Sequence, residues 1–200
     1  MIYRFDILTS TNDEAFDPRY GEGDVVWAEQ QSEGRGQRGH KWIGGEGENL
    51  MFTAILEPQF LPPVKQFLLS EAVALALVDA MQEWGIEAKI KWTNDIYVGD
   101  RKLVGILIEH RLSEGKINRS IVGIGLNVNQ MEFDASLPNP VSMAQIAGRS
   151  FNRLGVLERV VEHLNMRYAQ LREGDVEALQ REYCGRLYRL DEEHWFALSD

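Results

Sequence analysis

A single cysteine, Cys184, excludes both an internal disulfide framework and a cysteine-cluster metal site. The four histidines, His40, His110, His163 and His194, lack the H-x-x-x-H spacing that would aim two of them at one metal. Positive charge is also scarce: 21 Lys and Arg against 31 Asp and Glu give a formal net charge of −10. That balance argues against nucleic acid as the main partner, because affinity for a duplex rests on cations facing phosphates. Long apolar runs are missing too. The longest, such as Ala72–Val78, fall far short of the roughly 20 residues that span a bilayer, and "MIYRFDILTS" has no signal-peptide core. What is there is ordinary globular material, 44% hydrophobic over 200 residues, enough for one sizeable domain with a small appendage. A cytoplasmic location, with no membrane contact, is the expectation.

Against this background the stretch "GRGQRGHKW" stands out. Gly34, Gly36 and Gly39 have the G-x-G-x-x-G spacing of a dinucleotide-binding turn. That turn needs a strand running into its first glycine and a helix opening at its third. Here Val25–Trp27 fades through Ala28–Glu33, and Gly39 is followed by three more glycines within eight residues. The segment from about Ser32 to Glu48 therefore reads as one long loop. It gathers Arg35, Arg38, His40 and Lys41 on backbone that can approach a ligand closely, which suits a small anion.

Along the rest of the chain, Met1–Leu8, Asp24–Gln30 and Asn49–Leu56 read as strands, with a short capped helix after "LTS". Leu61–Trp84 has helical periodicity, opened by proline and closed by Gly85. "AKIKW" is a short strand and Gly99-Asp100 a turn. Leu103–His110 and Ile117–Val128 form a hairpin across Ser113–Lys116, and Leu154–Leu171 and Val176–Arg186 are helices. "LYRLDEEHWFALSD" reads as a strand, a turn and a second strand, the start of a small β domain. The class is α+β, a mixed sheet with helices packed on it.

Three further clusters could carry chemistry. Ser10-Thr11-Asn12 is an N-cap, or a polar helix start that meets a polar head group. In "KIKWTNDIYVGDRKLVGILIE", Asn94 and Asp95 end a β-type stretch, and Lys102 stands at the mouth of an apolar strand. The lysine is a snorkelling surface residue or a fixed cation, and a structural turn explains the cluster equally well. In "SIVGIGLNVNQ", Gly123 and Gly125 thin a strand where a ligand or backbone comes close, and Asn127 and Asn129 alternate so that both amides share one face.

Taken in order, STN, GRGQRGHKW, KWTNDIYVGDRKLVGILIE and GIGLNVN resemble the catalytic domain of biotin–protein ligases over most of residues 1–130. The resemblance implies a class II synthetase-like biotin/lipoate ligase fold over residues 1–186, and in 187–200 the beginning of an SH3-like domain. It implies ATP, biotin and Mg²⁺, and transfer of biotin through biotinyl-5′-AMP to a lysine of a biotin carboxyl carrier protein. Ser10, Thr11, Asn12 and Gln31 match positions that meet the ureido ring, and Gly34, Arg35, Gly36 and Gln37 the loop that folds over biotin. Gly105 and Ile106 match backbone against the bicyclic ring. Arg38, His40, Trp42, Asn94 and Asn127 match the adenylate side, with Trp42 stacking on adenine. Lys102 matches the lysine bridging carboxylate and α-phosphate, and Asp95 the acid that orients the incoming lysine or the phosphate network. Lys102, Arg35 and Asp95 are the candidate catalytic set, with no metal-ligating side chains assigned.

The sequence departs from the family pattern at three places. Gln37 and His40 replace more basic residues, which softens the loop's charge and implies some leakage of the adenylate. Thr93 stands where proline is usual. No DNA-binding helix-turn-helix precedes Met1 and the tail is short, so a role on DNA is not expected, while a homodimer is compatible. A lipoate or octanoate ligase of the same fold is the nearest alternative, but its R-R-x-[ST]-G-G-G-A loop is missing. A non-catalytic nucleotide- or biotin-binding module is the alternative from another class.

Overall fold

Alternation decides which side of the sheet is core. The computed structural model describes residues 1–194. Its seven strands are β1 (Ile2–Leu8), β2 (Val25–Gln31), β3 (Leu50–Leu56), β4 (Lys89–Lys91), β5 (Asp95–Val98), β6 (Arg101–Ser113) and β7 (Lys116–Leu126). They form one sheet in the order β1-β2-β3-β7-β6-β5-β4, with β1 and β2 parallel and every other pair antiparallel. Successive side chains on a strand point to opposite faces. On β7, Val122, Ile124 and Leu126 therefore join Phe52 and Leu50 of β3 on one face, in the main apolar cluster.

That face is covered by α2 (Phe67–Gln82), α4 (Arg153–Glu173) and α5 (Val176–Gly185). Helix α2 is buried nearly all round, which "LLSEAVALALVDAM" allows because it lies between the sheet and α4. On α4 only a stripe is buried, Val156, Leu157, Val160, Leu164, Tyr168 and Leu171, at the spacing of one helix face. Asn152 caps its start by accepting from the Gly155 N–H, and Gly174 closes it in the left-handed conformation at φ 85°. Each fully buried Leu, Ile or Phe here is worth about 1.5–3 kcal/mol over its exposed state.

The opposite face is thinner. Ile121, Val26 and Ile55 make a small cluster with Ala15 and Tyr20, around the short α1 (Thr11–Glu14). Beside that cluster, Gly123 and Gly125 leave the sheet bare, and there the cleft lies.

Several boundaries differ from the sequence reading. The long helix starts at Phe67, because Pro62 and Pro63 shape a separate turn at Pro63–Lys65. A strand missing from that reading, β5, pairs with β6 across the Gly99-Asp100 turn. So is α3 (Met143–Ala147), opened by a capping box between Ser142 and Gln145. Strand β7 stops at Leu126, so Asn127 and Asn129 do not share a strand face. Instead Asn127 donates to the Val141 carbonyl and Asn129 to that of Phe151. The supposed structureless loop is partly a hairpin, described below. In the tail, Leu187 makes a single bridge to Ile90 and is followed by turns rather than a strand. The second tail strand falls largely in 195–200, outside the described residues. Among the described residues no helix is long and apolar enough to cross a membrane.

Candidate active site

The cleft encloses about 510 Å³ on the glycine face of the sheet, between α1, the Gly34–Trp42 segment and the β4–β5–β6 edge. Its floor is flat for a steric reason. A Cβ on Gly125 would stand 2.3 Å from the Trp42 indole, and one on Gly105 2.8 Å from it. A Cβ on Gly123 would stand 2.2 Å from Asn12 Oδ1. Side chains at these positions would displace the groups that now rest on the sheet.

One end of the cleft is polar. Ser10 caps α1 by accepting from the Asn12 N–H, which brings Ser10, Thr11 and Asn12 to the cleft with each less than a twentieth exposed. Gln31, at the end of β2, accepts from the Thr11 N–H at 2.7 Å and the Thr11 hydroxyl at 3.1 Å. The buried Thr53 hydroxyl donates to Asn12 Oδ1 at 2.7 Å, and Asn12 Nδ2 donates to the Glu109 carboxylate at 2.8 Å. The result is an array of donors and acceptors set in an apolar wall, the layout that fixes the orientation of a small polar ring.

Above the floor, residues 34–42 fold back on themselves. Trp42 N–H donates to Gly34 O at 3.0 Å and Gly36 N–H to His40 O at 2.6 Å, with a bridge between Arg35 and Lys41. Gln37–Gly39 form the tip, where Arg38 has a left-handed φ of 54°, a conformation that strains a residue with a side chain. Gly34 must be glycine because a Cβ would meet Trp42 O at 2.6 Å. The hairpin lays the Trp42 ring on the glycine floor and presents Gln37, Arg38, His40 and Lys41 to the cleft. Arg35 also lines the cleft, with its guanidinium paired to Asp13 and Glu109.

The other end is cationic. The β5–β6 hairpin brings Lys102 Nζ within 2.8 Å of Asp95 Oδ1, with both side chains at most a third exposed. The same ammonium stands 5.8 Å from the centre of the Trp42 ring. Asn94 fixes the neighbouring backbone, since its Nδ2 donates to Ile106 O and its own carbonyl accepts the Ile106 N–H. The side chain of Ile106 belongs to the core on the far face, so only its backbone serves the cleft. His110, further along β6, is directed away: burial pushes its imidazole below the usual range, and Nδ1 lies 2.8 Å from Ser120 Oγ.

Of the residues singled out in the sequence as site candidates, Gly34, Asn127 and Asn129 do not line the cleft. Gly34 supports it through the hairpin. Asn127 is buried, and its Oδ1 has no donor among the described residues. Residues that the sequence reading missed include Thr53, Glu109 and Asp13, together with Lys91 and Trp92 at the rim. Strand alternation could have found Glu109, which follows Gly105 and Leu107 on the same face of β6.

The cleft thus has a flat glycine floor flanked by a polar end and a cationic end. Residues 4–127 match the model of the biotin/lipoate A/B protein ligase family, more than half of the chain, and the protein belongs to that family. The bifunctional ligase/repressor BirA of Bacillus subtilis is 35% identical over 175 residues, covering 84% of this chain and 53% of that protein. The biotin–[acetyl-CoA-carboxylase] ligase of Paracoccus denitrificans is 38% identical over 124 residues, covering 60% and 51%. The chain thus spans about half the length of these relatives. The solved biotin protein ligase of Aquifex aeolicus, in complex with biotin and ATP, has a TM-score of 0.85 at 26% identity, over 94% of this chain and 79% of that one. The mixed seven-stranded sheet with its helices is the biotin protein ligase catalytic fold.

Proposed function

We propose that this cleft joins biotin to ATP and then hands the biotinyl group to a lysine of a biotin carboxyl carrier protein. In the first step a carboxylate oxygen of biotin attacks the α-phosphorus, the bond to the β-phosphate oxygen breaks, and pyrophosphate leaves. In the second, the lysine amine attacks the carbonyl of the mixed anhydride, AMP leaves, and an amide remains. The polar end takes the ureido ring, whose N–H groups and carbonyl need acceptors and donors together. Ser10, Thr11, Asn12 and Gln31 supply both kinds.

The observation that carries this reading is the placement of one cation beside one aromatic ring over a flat floor. Lys102 Nζ lies 5.8 Å from the Trp42 ring centre, and both border glycines. A fixed ammonium there stabilises the charge that builds as carboxylate meets α-phosphate, an effect worth roughly 3 kcal/mol for a single such group. Asp95 holds that ammonium in place and stands ready to orient the amine of the second step. Trp42 offers a face for adenine, and Arg38, His40 and Lys41 the charge for phosphates. Mg²⁺ would be held mainly by the phosphates of ATP, as is usual at nucleotide sites, and would supply charge neutralisation there. Asn127 has a buried Oδ1 with no donor among the described residues, but it stands outside the cleft lining, so no role with the ion is assigned to it.

Exchange of labelled pyrophosphate into ATP tests the proposal, with biotin, lipoate and octanoate as the alternative acids. Exchange with biotin alone is the expected result. Exchange with lipoate or octanoate instead would assign the cleft to the other branch of the family, and exchange with none would refute adenylation.

A further inference from the structure

Glu109 lies outside the set of residues to which the reaction was assigned, yet it touches both the hairpin and the polar end of the site. It stands on β6 with its side chain about a quarter exposed. Its Oε2 accepts from Asn12 Nδ2 at 2.8 Å and from Arg35 Nη2 at 2.8 Å, while its Oε1 accepts from Arg35 Nη1 at 3.1 Å. The Arg35 contact is a two-pronged guanidinium–carboxylate pair, the geometry that fixes orientation as well as charge. Asp13 adds a single contact to Arg35 at 2.7 Å, but it sits on the exposed side of α1.

Both amide atoms of Asn12 are engaged, which leaves one lone pair of Oδ1 open. Its Oδ1 is taken by Thr53, and its Nδ2 by Glu109 and, at 3.3 Å, by the Leu107 carbonyl. Glu109 therefore decides which way the Asn12 amide presents itself at the polar end. Through Arg35 the same carboxylate ties down the Gly34–Trp42 hairpin, whose own strand pairing is only a few hydrogen bonds long. Two-stranded ribbons of that size are marginal without an outside anchor.

We propose that Glu109 is a positioning residue that locks the hairpin through Arg35 and the ring-binding amide through Asn12, so that one carboxylate couples the hairpin to the polar end of the cleft. The second half of this inference rests on the proposed function; the first does not. Glutamine separates the two halves. In Glu109→Gln one oxygen still accepts from Asn12, but an NH₂ group replaces the oxygen that faced Arg35 Nη1, and the fork is broken.

The first measurement is hydrogen exchange of the Gly36 and Trp42 amides in the ligand-free protein. Glu109→Gln should exchange these amides about fivefold faster, the size of a partly exposed ion pair lost, while the β3 amides stay unchanged. Equal exchange in the two proteins would overturn the lock, whatever the protein binds. The second is biotin binding and pyrophosphate exchange. Glu109→Gln should keep the biotin Kd within about twofold and lower kcat about fivefold, whereas Glu109→Ala should also weaken biotin about tenfold. Equal biotin affinity in Gln and Ala variants would overturn the Asn12 coupling. A wild-type protein that binds no biotin would overturn the coupling and the functional reading together, and would leave the exchange result to decide the lock.

Discussion

The two faces of β7 have opposite designs. Toward the helices the strand presents Val122, Ile124 and Leu126, each at most a few per cent exposed and packed into one continuous apolar cluster. Toward the cleft, the intervening positions are Gly123 and Gly125, where nothing larger than hydrogen fits beside Asn12 and Trp42. The same run of residues thus builds stability on one side and room on the other. The helical side is held by non-directional burial, whereas the cleft side is held by directed contacts: the Thr53–Asn12–Glu109–Arg35 chain and the Lys102–Asp95 pair. Substitutions should therefore divide cleanly, into those that unfold the protein and those that leave it folded and inactive.

The largest expected effect is on the helical face. Ile124→Ala removes a buried side chain from the centre of the sheet and should cost about 3 kcal/mol of stability, read by urea denaturation. Next comes Gly125→Val, one residue away but on the other face. A folded protein whose biotin-dependent exchange falls about a hundredfold is expected, because the new side chain displaces the Trp42 ring. If Gly125→Val instead cost as much stability as is expected of Ile124→Ala, the separation between the faces would be wrong. Trp42→Ala should weaken ATP by about 2 kcal/mol in KM, the value of one stacked base, with biotin binding little changed.

The smallest effect is a pH dependence confined to the helical half. Glu83, at the end of α2, is pushed down to about 2, first by the hydrogen bond from Arg159 and then by that from His163, both on α4. A carboxylate held below its ordinary value stabilises the fold above that value. The contribution is lost as pH falls from the usual carboxylate range through the folded pKa. Because the pair is part-exposed, no more than about 1 kcal/mol is expected. Thermal melts between pH 5 and pH 3 should fall less steeply in Glu83→Gln than in the wild type, and parallel slopes would rule the contribution out.

Much of this was legible in the sequence where a pattern is local. Gly123 and Gly125 in "VGIG" marked a place of close approach on the strand, and Ser10-Thr11-Asn12 could be placed at a helix start from residue type alone. The failed G-x-G-x-x-G context correctly turned attention from a dinucleotide turn to a cation-bearing loop. What was illegible depends on backbone pairing, on elements too short to show a period, or on partners distant in sequence. The hairpin over residues 34–42 is paired through backbone groups, which residue types do not encode, and Arg35 meets Glu109 across 74 positions. β5 was missed because its four residues are too short for a period to show. Asn127 and Asn129 were misread because alternation was extended past Leu126, where the chain leaves the sheet.

The central claim is that the cationic end of the cleft activates an acid rather than merely binding one, and Lys102→Ala tests it most directly. At saturating ATP, biotin-dependent pyrophosphate exchange should fall about a hundredfold or more, in keeping with loss of one fixed cation at the reacting centre. Biotin affinity and melting temperature should stay near those of the wild type. Exchange that persists at the wild-type rate in a folded Lys102→Ala protein would contradict the account.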